Sequence, residues 1–321
     1  MTAAVLKPLF QSNPTDGYAL EETEDAIDTV NILKGNPLVE ESAYNDQPKF
    51  DEGKDKTTFR QYQDACDRVK TFYREQHEKQ TVAYNAAARR RFAIDLSDNQ
   101  PTQPRDEMTI WEAMEKLNTL VDESDPDTEL SQIQHLLQTS EAMRRDGKPR
   151  WMQVTGLVHD LGKLLYFYGA EGQWDVVGDT FPVGCAFSNK VILPETFSGN
   201  PDSTHPVYST SYGIYSPGCG IENLTMSWGH DEYMYLVCKD QSVLPREALA
   251  MIRYHSFYPW HREGAYHEFM KEGDEELLRA VRAFNPYDLY SKSDEPPNVE
   301  VLKPYYLELI DEFFPQKVIR W

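Results

Sequence analysis

Apolar residues recur every three or four positions along most of the chain, and this rhythm breaks at definable points. In TTFRQYQDACDRVKTFYREQHEKQ, which begins at Thr57, the residues Phe59, Tyr62, Cys66, Val69, Phe72 and Tyr73 share one helical face. A second helix is predicted over Thr109–Val121, carried by Ile110, Ala113, Met114, Leu117 and Leu120. The stretch DESDPDTELS ends it with a proline and five carboxylates. Leu130–Arg145 and Met152–Tyr168 are two further predicted helices, divided by RDGKPR. Between residues 169 and 227 the rhythm is lost to Gly, Pro, Ser, Thr and aromatic residues, which predicts irregular loops with short helical turns. Helices return at His230–Lys239, Pro245–His255, Glu275–Phe284 and Val299–Phe313. Strand-like alternation is scarce and no repeat is visible. The pattern predicts an all-α bundle with one long irregular insertion. Residues 1–56 carry little period and much Asp, Glu, Asn, Gly and Pro, and read as an acidic arm, mobile or lid-like, ahead of a single catalytic domain over 57–321.

Bulk properties narrow the classes. A chain of 321 residues accommodates one or two domains. A net charge of −21 argues against nucleic acid and against anionic membrane as partners. No 18-residue apolar run is present, so no membrane-spanning helix is expected, and the N-terminus lacks the apolar core of a signal peptide. The cysteines Cys66, Cys185, Cys219 and Cys238 are widely spaced and form no Cys-x-x-Cys pair, which fits reduced thiols and a cytoplasmic location.

The candidate chemistry begins at GLVHDLGKLL, residues 156–165, where His159, Asp160 and Lys163 interrupt an apolar run. On a helix these three share a face. A buried, unpaired carboxylate costs several kcal/mol, so either Lys163 pairs with Asp160 or a cation sits there with His159 as a neutral ligand. Three more histidines stand on inner helical positions: His135, His230 and His255. Taken singly, each is a satisfied core histidine by default. Imidazoles converging from separate helices are how bundles build metal sites. Pro286 is placed to start a helix that carries Asp288 in its first turn. Elsewhere His77, His205, His261 and His267 read as structural or exposed, and Asp231 and Glu232 as the charged first turn of the helix after His230. Four imidazoles and two carboxylates are too rich in nitrogen for Mg or Ca and suit Fe, Zn, Ni or Mn. Six protein ligands exceed the need of one catalytic ion, so two ions are implied, with Asp160 as the natural bridge. Such a centre lowers the pKa of a bound hydroxyl. No Glu-x-x-His pair occurs, which sets the site apart from ferritin-type carboxylate centres.

The order His…His-Asp…His…His…Asp resembles the HD-domain superfamily of helical metal proteins. The blocks VDESDPD, GLVHDLGK, VVGDTFPVGC, MSWGHDEY, MIRYHSFYPWH and FNPYDLYSK resemble the myo-inositol oxygenase family, and the likeness runs from about Phe59 to Trp321. The resemblance implies a mixed-valent Fe(II)/Fe(III) pair that cleaves the ring of myo-inositol with O₂ to give D-glucuronate. By the same resemblance His135, His159 and Asp288 hold one iron, His230 and His255 hold the other, and Asp160 bridges them. Lys163 would stand against the substrate oxygens, and Arg60, Asp122, Gly178, Asp179, Ser256 and Lys292 match polyol-binding positions. A monomer is the expectation. The alternative within the superfamily is a metal-dependent phosphohydrolase, for which Lys163, Arg144 and Arg145 are a thin supply of cations. A second alternative is a non-catalytic metal or nucleotide sensor.

Overall fold

A computed structural model describes residues 20, 23–24, 26–28, 30–31, 62–92, 106–120, 131–291 and 297–321, with the side chains of 62–67, 290 and 291 excepted. The described chain is mainly helical: α1 (Tyr62–Lys79), α2 (Val82–Arg91), α3 (Ile110–Leu117), α4 (Gln132–Arg145), α5 (Arg150–Val158), α6 (His230–Gln241), α7 (Arg246–Tyr254), α8 (Tyr258–His261), α9 (Asp274–Ser291) and α10 (Val299–Phe313). Described residues between 20 and 31 are helical as well. A two-stranded antiparallel ribbon, β1 (Glu107–Met108) with β2 (Ile319–Arg320), pairs Glu107 with Arg320 and Met108 with Ile319 and ties the C-terminus to the start of α3.

Local chemistry sets the helix starts. Thr109 and Glu112 form a reciprocal capping box at the head of α3, and Asn298 accepts from the Val301 amide at the head of α10. Tertiary packing brings the helices together around a large apolar core, with a smaller cluster of Ala142, Met143, Met152, Met251, Ala280, Phe284 and Tyr287 beside it. α4 lies against α5, α6 against the segment after α5, and α7 against both α6 and α9. Gly156 permits the close crossing of α4 and α5, since a Cβ there would stand 3.2 Å from Thr139 Cγ2 and 3.3 Å from the Ser140 amide nitrogen. That crossing carries His135 toward His159.

Two helical expectations are corrected. Met152–Tyr168 is not one α-helix: α5 stops at Val158 and the chain tightens into a 3₁₀ run from His159 to Tyr168. Gly162 explains the tightening, because it presses on the backbone of His230, where a Cβ would fall 2.0 Å from the carbonyl oxygen. In a 3₁₀ turn residues i and i+3 eclipse, so Asp160 and Lys163 stack in register. Pro286 does not open a new helix either. It lies inside α9, at the cost of one backbone hydrogen bond, and Asp288 therefore stands near that helix's C-terminal end.

The insertion between the 3₁₀ run and α6 is irregular, as its composition predicts, and it docks on α1. Gln80 donates to the carbonyls of Trp174 and Trp228 and accepts from the Trp228 amide. His77, expected to be structural or exposed, is fully buried, stacks on Phe197 at 3.8 Å between ring centroids, and pairs with Thr196 Oγ1 at 2.7 Å. Burial lowers its pKa to about 3. The unfolded chain therefore binds a proton at this residue between about pH 6.5 and pH 3 that the folded chain refuses. The stability is present above pH 6.5 and is lost as pH falls toward 3. From pH 7 to pH 5 the loss is about 2 kcal/mol. Urea unfolding of His77→Phe at the two pH values is expected to show a fall smaller than wild type by that amount; an equal fall would show that His77 is not the group responsible.

Candidate metal centre

Five elements deliver the candidate ligands. His135 comes from α4, His159 and Asp160 from the start of the 3₁₀ run, His230 from the first position of α6, His255 from the residue after α7, and Asp288 from α9. The four histidines and Asp160 are at most 3% exposed, and the Asp288 side chain is 13% exposed. The two oxygens of Asp160 face different groups. Oδ2 lies 3.4 Å from Nε2 of both His135 and His159. Oδ1 lies 3.5 Å from His230 Nε2 and 3.6 Å from His255 Nε2. Asp288 Oδ1 completes the first group, 3.3 Å from His135 and 3.1 Å from His159. The donor atoms of His135, His159, Asp160 and Asp288 lie within 4.8 Å of one another, as do those of Asp160, His230 and His255.

The hydrogen bonds behind three imidazoles set their tautomers. Nδ1 donates to Gly156 O from His159 at 2.8 Å, to Val176 O from His230 at 2.8 Å, and to Ile252 O from His255 at 2.9 Å. Each neutral ring then turns its Nε2 lone pair toward the centre, the second-layer arrangement of metal-ligating histidines. His230 Nε2 and His255 Nε2 are 3.1 Å apart. Two lone pairs at that distance repel unless a proton or a cation lies between them. Asp288 near a helix C-terminus adds a further unfavourable term, because that end of the macrodipole is negative. The donor set thus fits a cationic centre rich in imidazole.

The titration balance points the same way. Burial raises the Asp160 carboxyl, but the charges of His159 and Lys163 and hydrogen bonds from His135 and His255 hold it well below the usual carboxylate range. Asp288 is likewise held well below that range: burial is outweighed by the His159 charge and by hydrogen bonds from His135 and His159. Burial lowers His255, yet Asp231, Asp160 and Asp288 carry it up to about 10. A cation bound between these groups would likewise favour the ionised carboxylates.

Lys163, wholly buried, donates to Asp160 Oδ2 at 2.9 Å. The Lys163–Asp160 pair and the convergence of histidines, set out as alternatives from the sequence, coexist at one carboxylate. Gly178, Asp179 and Ser256 line a pocket together with His135, Asp160, His230, His255 and Asp288. Gly178 has φ +101°, a conformation open to glycine. Asp179 accepts from Tyr73 Oη at 2.8 Å and from Asn31 Nδ2 at 3.2 Å. Arg60, Asp122 and Lys292 lie outside the described residues.

Several site residues were not anticipated. Asp231 is no solvated first-turn charge: it is fully buried, 2.8 Å from His230 Nε2, and accepts from both the amide and the hydroxyl of Ser256 at 3.2 Å. Glu232 is also buried and takes two hydrogen bonds from Arg253, at 2.6 and 3.1 Å. The available signal was the second His-Asp doublet. Glu24, Ile27, Asp28 and Asn31 reach the same pocket from the N-terminal helical residues, as does Tyr258. The arm reads from the sequence only as mobile or lid-like, and its local pattern singles out none of these residues.

A helical bundle that encloses a His-Asp doublet and three further imidazoles at the inner ends and faces of separate helices is a metal protein of the HD-domain type. The myo-inositol oxygenase family pattern matches residues 66–321, and the chain belongs to that family. It is 46% identical over 304 residues to the inositol oxygenase of Dictyostelium discoideum, covering 92% of this chain and 99% of that one. It is 48% identical over 271 residues to inositol oxygenase 1 of Arabidopsis thaliana, covering 82% and 84%. With the inositol oxygenase of Mus musculus it shares 45% over 267 residues, covering 82% and 90%.

Gly162→Ala is expected to push α6 from the 3₁₀ run, costing about 3 kcal/mol or more, and to lower bound metal per folded chain as His230 withdraws. Thermal melting and metal analysis check both; an unchanged melting temperature with full metal content would contradict the close-approach argument.

Proposed function

We propose that this chain cleaves the ring of myo-inositol with O₂, giving D-glucuronate and water, at a pair of iron ions held as Fe(II) and Fe(III). The observation that carries the proposal is the division of Asp160, whose Oδ2 faces His135 and His159 while Oδ1 faces His230 and His255. In this reading His135, His159 and Asp288 hold one iron, His230 and His255 the other, and Asp160 bridges. When bound, the pair supplies Lewis acidity toward a polyol hydroxyl and electrons toward O₂. The protein's own work is to orient and enclose. Asp179 and Ser256 offer fixed polar groups to a neutral polyol, and Asp231 holds Ser256 in place. Lys163 stands behind Asp160, where its charge favours a hydroxyl in its ionised form. Arg60, Asp122 and Lys292 complete the polyol contacts. The helical residues between 20 and 31 act as a lid that keeps water from the reaction. The free thiols Cys185, Cys219 and Cys238 suit a cytoplasmic enzyme, and no described helix is long and apolar enough to cross a membrane.

The phosphohydrolase alternative needs cations to meet phosphate, and no Lys or Arg lines the pocket among the described residues. Iron-loaded protein under mild reductant is expected to consume O₂ in equimolar amount with added myo-inositol. Phosphate release from nucleotides without O₂ uptake would transfer the assignment to a hydrolase, and stoichiometric metal with neither activity would favour a sensor. Asp160→Ala is expected to lose both metals, since both rely on its carboxylate; two irons retained per chain in that variant would remove the bridging role.

A further inference from the structure

Tyr258 opens α8 in the segment HSFYPWH, is buried, and lines the pocket. Two groups anchor it. The Arg262 guanidinium stands over the ring, 5.1 Å from the centroid, and Asn285 Nδ2 donates to the hydroxyl oxygen at 3.4 Å. Asn285 precedes Asp288 by three residues on α9, and Tyr258 follows His255 by three. The phenol is thereby tied to the chain on both sides of the centre. A phenol has one O–H to donate and lone pairs with which to accept. Asn285 meets a lone pair, and among the described residues no acceptor takes the O–H. Burial, and then the carboxylates of Asp28, Asp288 and Asp179, push its pKa well above the usual phenol range, so the proton stays in place. Those three carboxylates also line the pocket, which puts the hydroxyl at the pocket wall.

Other donors in the wall are committed. Ser256 Oγ donates to Asp231 Oδ1, and Asn31 gives an N–H to Asp179. The wall is otherwise rich in carboxylates, which accept. Each hydroxyl of a polyol both donates and accepts, so such a wall satisfies the ligand's O–H groups and leaves its oxygens short of donors. A buried O–H without an acceptor is itself costly, and a ligand oxygen relieves that cost. We propose that Tyr258 is a specificity-determining residue, whose hydroxyl donates a hydrogen bond to one ring hydroxyl of the bound polyol and so fixes which way round the ring lies at the metal centre. The proposal rests on the functional reading for the identity of the polyol and on the uncommitted O–H for its cause.

Tyr258→Phe removes the donor and keeps the ring under Arg262. Myo-inositol and a set of deoxy-inositols, each lacking one hydroxyl, are titrated calorimetrically into the metal-loaded full chain under argon. For myo-inositol the dissociation constant is expected to rise about fivefold in the variant. One deoxy-inositol, the one without the partner hydroxyl, is expected to bind variant and wild type alike, while the others keep the fivefold loss. A dissociation constant for myo-inositol that is unchanged in the variant overturns the proposal. The same loss for every deoxy-inositol that binds also overturns it, because Tyr258 would then act on the shape of the pocket alone. Calorimetric dissociation constants do not depend on the fraction of loaded chains, so a variant that folds or loads incompletely still gives the ratio. The functional reading fails separately, if the wild-type protein neither binds myo-inositol nor takes up O₂ with it.

Discussion

The centre depends on one buried carboxylate doing two jobs at once. Asp160 is 3% exposed, and an isolated charge in such a place costs several kcal/mol. Its surroundings meet that cost from every side: two imidazoles on one oxygen, two on the other, and the Lys163 ammonium beside them. Removing any one partner leaves the rest with unbalanced charge. The helices that deliver those partners must therefore keep their relative positions closely. The glycines at the crossings serve that need, Gly156 between α4 and α5 and Gly162 against the start of α6.

Charge balance extends outward from this point in layers. The imidazoles are oriented by backbone carbonyls of Gly156, Val176 and Ile252, so secondary structure itself aims the ring nitrogens. Asp231 sits behind His230 and is in turn tied to Ser256 at the end of α7. Glu232, one residue on, is matched by Arg253 from the same helix pair, with Arg89 at 3.2 Å on its other side. The strongly acidic chain thus buries several carboxylates, and each of these has a cationic or hydrogen-bonding partner. Beside the same pocket, Glu24 from the N-terminal helical residues sets a carboxylate against the buried lysine.

Much of the buried His/Asp cluster is legible in the sequence. His135, His159, His230 and His255 each fall at an apolar position of a helical repeat or at the end of one, and the His-Asp doublet stands in an otherwise oil-like run. Titratable groups in such positions announce a shared purpose, because burying them singly is expensive. The helical class and the irregular insertion were legible for similar reasons, being written in three- and four-residue periods and in their absence over residues 169–227. Asp231 was less so, since a carboxylate in a first turn has an ordinary explanation in the helix dipole. Glu24 was not legible at all: its neighbours have no strong period, and its partner lies far along the chain.

The sequence by itself determined which residues could face inward, because helical periodicity is a local property of neighbouring positions. It also determined the donor chemistry, nitrogen-rich with few carboxylates, and the acidity of the whole chain. Only the tertiary structure decided which oxygen of Asp160 faces which pair of rings, that the chain tightens to a 3₁₀ run at His159, and that α9 runs through Pro286 to present Asp288 near its end. It also decided that Lys163 is shared between Asp160 and Glu24. These depend on how helices cross and how closely two backbones approach, which no short window of residues specifies.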